Sequence, residues 1–87
     1  MEKQIWKYTL EPETTIAMPL GAEILTVQSQ HGIACLWALV DPSANKVLRK
    51  FRVYGTGHPI TEENGKYIGT FQLHEGYLVF HVFEYPM

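Results

Sequence analysis

Apolar side chains recur at every second position in one short run after another, and Gly, Pro or Asn interrupts each run before a helical repeat can establish itself. Over Ile5–Leu10 the alternation puts Trp6, Tyr8 and Leu10 on one face against Lys7 and Thr9. Thr14–Met18 does the same with Ile16 and Met18. Glu23–Gln30 sets Leu25 and Val27 against Ile24, Thr26 and Gln28. Val47–Tyr54 opposes Phe51 and Val53 to Lys50 and Arg52, and Tyr67–Leu73 follows a long loop, Gly55–Gly65. In the last run, Tyr77–Glu84, Leu78, Phe80 and Val82 face away from Tyr77, Val79, His81 and Phe83. A helix would need apolar residues at i, i+3, i+4 and i+7, and only Ala22–Gln30 fits even loosely. The pattern predicts an all-β chain: a small antiparallel β-sandwich or partly open barrel of six or seven short strands, forming one domain over 1–87.

One run departs from alternation. Ile33–Val40 is apolar at every position, as in a strand covered on both faces, which places it centrally in a sheet. Turn chemistry frames it: Gln30-His31-Gly32 before it, where Gly32 can take positive φ, and Asp41-Pro42-Ser43-Ala44-Asn45 after it. Another turn is written at His74-Glu75-Gly76. Hydrophobic residues make up 46% of the chain and charged residues 18%, below the roughly 25% of an average soluble domain. A small chain this apolar covers its surface poorly alone, so a homo-oligomer is expected.

Net charge is −2, and strand alternation splits the one basic stretch, Lys46, Arg49, Lys50 and Arg52, between two faces. Sequence-independent binding to nucleic acid is therefore disfavoured. The longest apolar run has eight residues against the roughly 20 that a spanning helix needs, so no membrane role is expected. The opening Met1-Glu2-Lys3-Gln4-Ile5-Trp6 lacks the pattern of a signal peptide, and one cysteine cannot make an internal disulfide. A reducing, cytoplasmic setting follows as an expectation.

Catalytic patterns are wanting. Cys35 sits in the most apolar run, where a thiol is a small hydrophobe rather than a nucleophile. No serine stands in a Gly-x-Ser-x-Gly setting, and Glu11/Glu13 and Glu62/Glu63 read as solvated loop charges. His31, His58, His74 and His81 are too widely spaced for a zinc pair. The expectation is a chain that is not an enzyme and has neither metal nor cofactor.

One loop stands out. In Tyr54-Gly55-Thr56-Gly57-His58-Pro59-Ile60 two glycines free the backbone to expose N–H groups as an anion-binding nest. Thr56 and His58 add a hydroxyl and an imidazole, and Arg52 on the preceding strand supplies positive charge. The candidate ligand-binding set is thus Arg52, Tyr54, Gly55, Thr56, Gly57 and His58. The plainer alternative is a strand-ending bulge whose glycines only turn the chain. Trp6, Tyr8, Trp37, Tyr54, Tyr77 and Phe83 exceed what one small core layer needs, so some rings are free for an interface or for stacking on a base.

Several segments, taken together, carry a resemblance: Trp6-Lys7-Tyr8, Met18-Pro19-x-Gly21-Ala22-x-Ile24-Leu25, Trp37-Ala38-x-Val40-Asp41, Phe51-Arg52-x-Tyr54-Gly55-Thr56-Gly57-His58, Tyr67-Ile68-Gly69-Thr70-Phe71-Gln72 and Gly76-x-Leu78-Val79-Phe80-His81. Over nearly its whole length the chain resembles a family of short proteins of unknown function encoded by tailed phages and bacterial prophages. The resemblance implies an accessory protein in the host bacterial cytoplasm, and transfers no catalytic residue. Three roles fit that setting: an oligomeric sponge for a small anionic or nucleotide signal of host defence, an inhibitor that binds a host defence protein directly, or a minor virion or assembly component.

Overall fold

The structure is a computed structural model that describes residues 2–87. Its strands are β1 (Gln4–Thr9), β2 (Glu13–Pro19), β3 (Glu23–Gln30), β4 (Ile33–Val40), β5 (Lys46–Gly55), β6 (Lys66–Leu73) and β7 (Leu78–Tyr85). A single 3-10 turn, His74–Gly76, joins the last two. The seven strands form two antiparallel sheets, one ordered β1-β4-β3 and the other β2-β5-β7-β6. There is no closed barrel and, among the described residues, no α-helix.

The chain changes sheets at Leu10-Glu11-Pro12. Leu10 still donates its N–H to Ala34 O of β4, while Pro12 O already accepts from Val53 of β5. Pro12 suits this corner, because it has no N–H to offer a continuing ladder. The hairpin between β3 and β4 closes on His31 and Gly32 at φ of 51° and 78°, both left-handed, as a two-residue type I′ connection demands.

Strand β4 does lie at the centre of its sheet, with β1 on one side and β3 on the other. Its inner face, Leu36, Ala38 and Val40, meets Met18, Phe51 and Val82 of the other sheet, and all six are at most 1% exposed. Burying a large side chain of this kind contributes about 1.5–3 kcal/mol. Trp6, Tyr8 and Leu10 turn inward together, as do Ile16 and Met18.

Two faces differ from the alternating reading. A bulge between Ile24 and Thr26 interrupts the β3–β4 ladder, so Ile24 and Val27 both meet the core and Leu25 is turned outward. One extra residue in a strand reverses the inside-outside order beyond it. A matching bulge between Tyr67 and Gly69 lets Ile68 and Phe71 pack inward from β6. Tyr77 precedes β7 rather than belonging to it, and Leu78 is exposed at the strand's start.

The two ends of the sandwich are built differently. At one end Arg49 grips Glu84 through two nitrogens, at 2.6 and 2.8 Å, and donates a third bond to Ala22 O. That fork ties β5 and β7 to the segment leading into β3, beside a concavity of about 400 Å³ that Arg49 and Glu84 help to line. The other end holds the sheet-switching corner, the β3–β4 hairpin and the end of β5.

Candidate functional site

The six loop candidates do not converge. Arg52, Tyr54 and Thr56 alternate onto the outer face of the four-stranded sheet, whereas Gly55 and His58 face the interior at its open end. The loop is a tight turn, closed by His58 N–H donating to Gly55 O at 3.1 Å, with Gly57 at φ 87° in its third position. Positive φ there is the type II signature and explains that glycine. Thr56 N–H donates to Val79 O at 3.2 Å. With the N–H groups of Thr56 and His58 both committed and Pro59 lacking one, no two consecutive N–H groups remain free, and the expected anion nest does not form.

Arg52 is also committed. Its Nη1 lies 3.3 Å from Glu62 and 3.4 Å from Glu13, and the guanidinium sits 5.6 Å over the Tyr54 ring. Glu62 reaches Lys50 as well, at 2.9 Å. The bond from Lys50, and then that from Arg52, hold the Glu62 carboxyl below the ordinary carboxylate range despite the opposing effect of desolvation. The contacts of Glu62 pin the segment after the turn against β5. Tyr54 is buried rather than free, and its hydroxyl meets that of Tyr85 at 2.7 Å. Phe83 stands edge-on to Tyr54 and Tyr67, at 5.8 and 5.6 Å. Of the six rings singled out for the surface, Trp6 and Tyr8 pack on the core, while Tyr77 is 86% exposed.

A polar chain runs along the same outer face. Thr56 Oγ1 bonds His81 Nε2 at 2.7 Å, His81 Nδ1 bonds Thr70 Oγ1 at 2.9 Å, and Thr70 Oγ1 meets Tyr67 Oη at 2.6 Å. It holds both imidazole nitrogens of His81. Among the described residues no group of three or more His, Cys, Asp or Glu is placed to hold a metal ion.

The open end of the sandwich carries an apolar cleft of about 420 Å³ between the two sheets. Leu10, Val53, Phe71 and Phe80 line its depth, Gly32 and Ala34 leave it room, and the exposed Glu11 and His58 stand at its rim. Phe71 and Phe80 are stacked at 5.5 Å and 26°. A Cβ on Gly55 would come within 2.8 Å of the His58 ring, so the exposed imidazole would have to swing aside. Sequence reading singled out Gly55 and His58 but missed the apolar wall. Leu10, Val53, Phe71 and Phe80 read as ordinary core positions, and only the pairing of distant strands leaves a gap among them.

Comparison with known proteins gives one family match: a model described as a domain of unknown function (DUF7352) covers residues 1–87. No curated protein and no solved structure matches the chain.

Proposed function

Because the chain belongs over its whole length to that family of domains of unknown function, its role has to be argued from its own geometry, and we propose a non-catalytic binding module that holds a small molecule in the cleft between its sheets. One observation carries this reading: an apolar gap of about 420 Å³, with a stacked phenylalanine pair in its wall and an imidazole at its rim. Ligand sites are of this size and kind, mostly apolar with a few polar groups that fix orientation. Among the lining residues only Glu11 and His58 carry ionisable side chains, and the apolar remainder suits capture rather than turnover.

The sponge for a small signal of host defence belongs to this proposal in its general form, as does the phage or prophage setting that the sequence resemblance suggests. Its anionic form has less support, since Arg52 already faces two carboxylates and the turn N–H groups are spent.

A thermal-shift panel of nucleotides and neutral aromatic compounds tests it, run on the native chain and on Ala34→Leu, which fills the cleft. A ligand at 100 times its Kd adds about 2.7 kcal/mol of stability. Stabilisation of the native chain that vanishes in Ala34→Leu supports the module. Stabilisation that persists in the variant, or none with any compound, overturns it.

A second reading has its own observation. Ile5, Leu25 and Trp37 form a shallow apolar depression on the outer face of the three-stranded sheet. We propose this face as the contact of a homo-oligomer. A host protein bound directly at the same face is the competing occupant, and recovery of a stoichiometric host partner with the tagged chain favours it over a second copy.

A further inference from the structure

We infer that the cleft between the sheets selects neutral or cationic aromatic rings and discriminates against anions; this rests on the binding reading above and names its ligand class. The charge pattern is the first ground. Glu11 is the one formally charged residue in the lining, and neither lysine nor arginine contributes to it. An anion entering there would meet a carboxylate with no cation to offset it, whereas an ammonium group would be attracted. Glu11 is held in place by its own backbone: its N–H donates to Thr14 Oγ1 at 2.8 Å, and that hydroxyl donates back to Glu11 O at 3.0 Å. The carboxylate is thus carried on a fixed corner and not on a loose loop.

Shape is the second ground. The gap lies between two layers, where the small Gly32 and Ala34 leave room beside Phe71 and Phe80. A flat ring in that gap can stack on or meet the edge of the phenylalanine pair, and both arrangements favour aromatic over aliphatic bodies. His58, turned back against Gly55, presents an imidazole that can hydrogen-bond a ring N–H or accept from an amine when neutral.

Indole, tryptamine and indole-3-acetate share one ring and differ in charge, so they separate the two grounds. Each is titrated into the native chain and into Glu11→Gln, followed by backbone amide shifts, at a pH above the ordinary histidine range. The native chain should bind indole and tryptamine with shifts at Leu10, Phe71 and Phe80, and should prefer tryptamine over indole-3-acetate by about three- to fivefold, as a partly exposed charge pair warrants. Glu11→Gln should erase the preference and leave indole unchanged. Equal binding of all three at the cleft, or tighter binding of the anion, overturns the charge selectivity and leaves the binding module standing. No cleft shifts with any of the three at millimolar concentration overturns both.

Discussion

Two tyrosines with opposite surroundings show how hydrogen bonding divides the interior. The Tyr8 hydroxyl is buried with no partner among the described residues, and desolvation raises its pKa. The Tyr85 hydroxyl is paired with Tyr54 at 2.7 Å. An unpaired buried hydroxyl costs about 1–3 kcal/mol, so Tyr8→Phe should leave stability unchanged or raise it by about 1 kcal/mol. Tyr85→Phe should lower stability by about 1–2 kcal/mol, because it leaves Tyr54 Oη without its partner. Urea denaturation midpoints at constant slope measure both, and a loss in Tyr8→Phe as large as that in Tyr85→Phe contradicts the assignment. Burial first, then the bond to Tyr54, pushes the Tyr85 pKa up to about 12 from 10.0. A raised folded-state value means that the folded chain holds this proton longer than the unfolded chain. The contribution is therefore complete below pH 10 and is lost as pH rises towards 12. Tyrosinate absorbance should appear together with unfolding over that window; a Tyr85 that ionises near pH 10 in the folded chain refutes the assignment.

At the scale of elements, the close approach of β3 to β6 depends on a missing side chain. A Cβ on Gly69 would lie 2.6 Å from Val27 Cγ2, so Gly69→Ala forces β3 and β6 apart at the edge where the sheets meet. Overpacking of this kind costs about 1–3 kcal/mol, and Val27→Ala in the same chain should recover part of it. Denaturation of the two single variants and the double variant measures the coupling, and strict additivity counts against the contact. Neither this contact nor the bulges beside it were legible in the sequence. Strand positions were, since Trp6-x-Tyr8-x-Leu10 and Phe51-x-Val53 can bury one face only as strands. So was the hairpin at His31-Gly32, where local chemistry decides φ. The inward turn of Ile24 in place of Leu25 depends on one extra residue opposite Ala38 and Trp37, which alternation within β3 does not encode. The site was legible only in part for the same reason: Gly55 and His58 carry local signals, while the cleft wall joins the corner after β1 to β5, β6 and β7 across the fold.

For the whole molecule, thickness is the governing quantity. The Cα trace measures 41 × 30 × 15 Å, a two-layered slab whose sheets each have one face turned outward. Those outer faces are treated unequally. On the four-stranded sheet, the segment carrying Glu62 and Gly65 lies over Lys50, Arg52 and Tyr85. On the three-stranded sheet, the bond from Lys7 Nζ to Gln30 Oε1, 2.7 Å long, spans β4 and accompanies the burial of Cys35 beneath. Ile5 and Leu25 stay exposed at 60% and 44%, beside a half-buried Trp37. A strand apolar on both faces gains little from its outer one unless something covers it, and a two-fold axis through this patch would set apolar side chains against their own copies with Lys7 already engaged at one side. Ile5→Glu and Leu25→Glu place charge where there is now exposed apolar surface, so each should leave the fold intact and abolish the proposed self-association. Light scattering after size exclusion reads the mass, and circular dichroism confirms that the strands persist. A native chain that runs as a monomer at tens of micromolar defeats the proposed self-association, and it would leave the apolar outer face of β4 to a different partner.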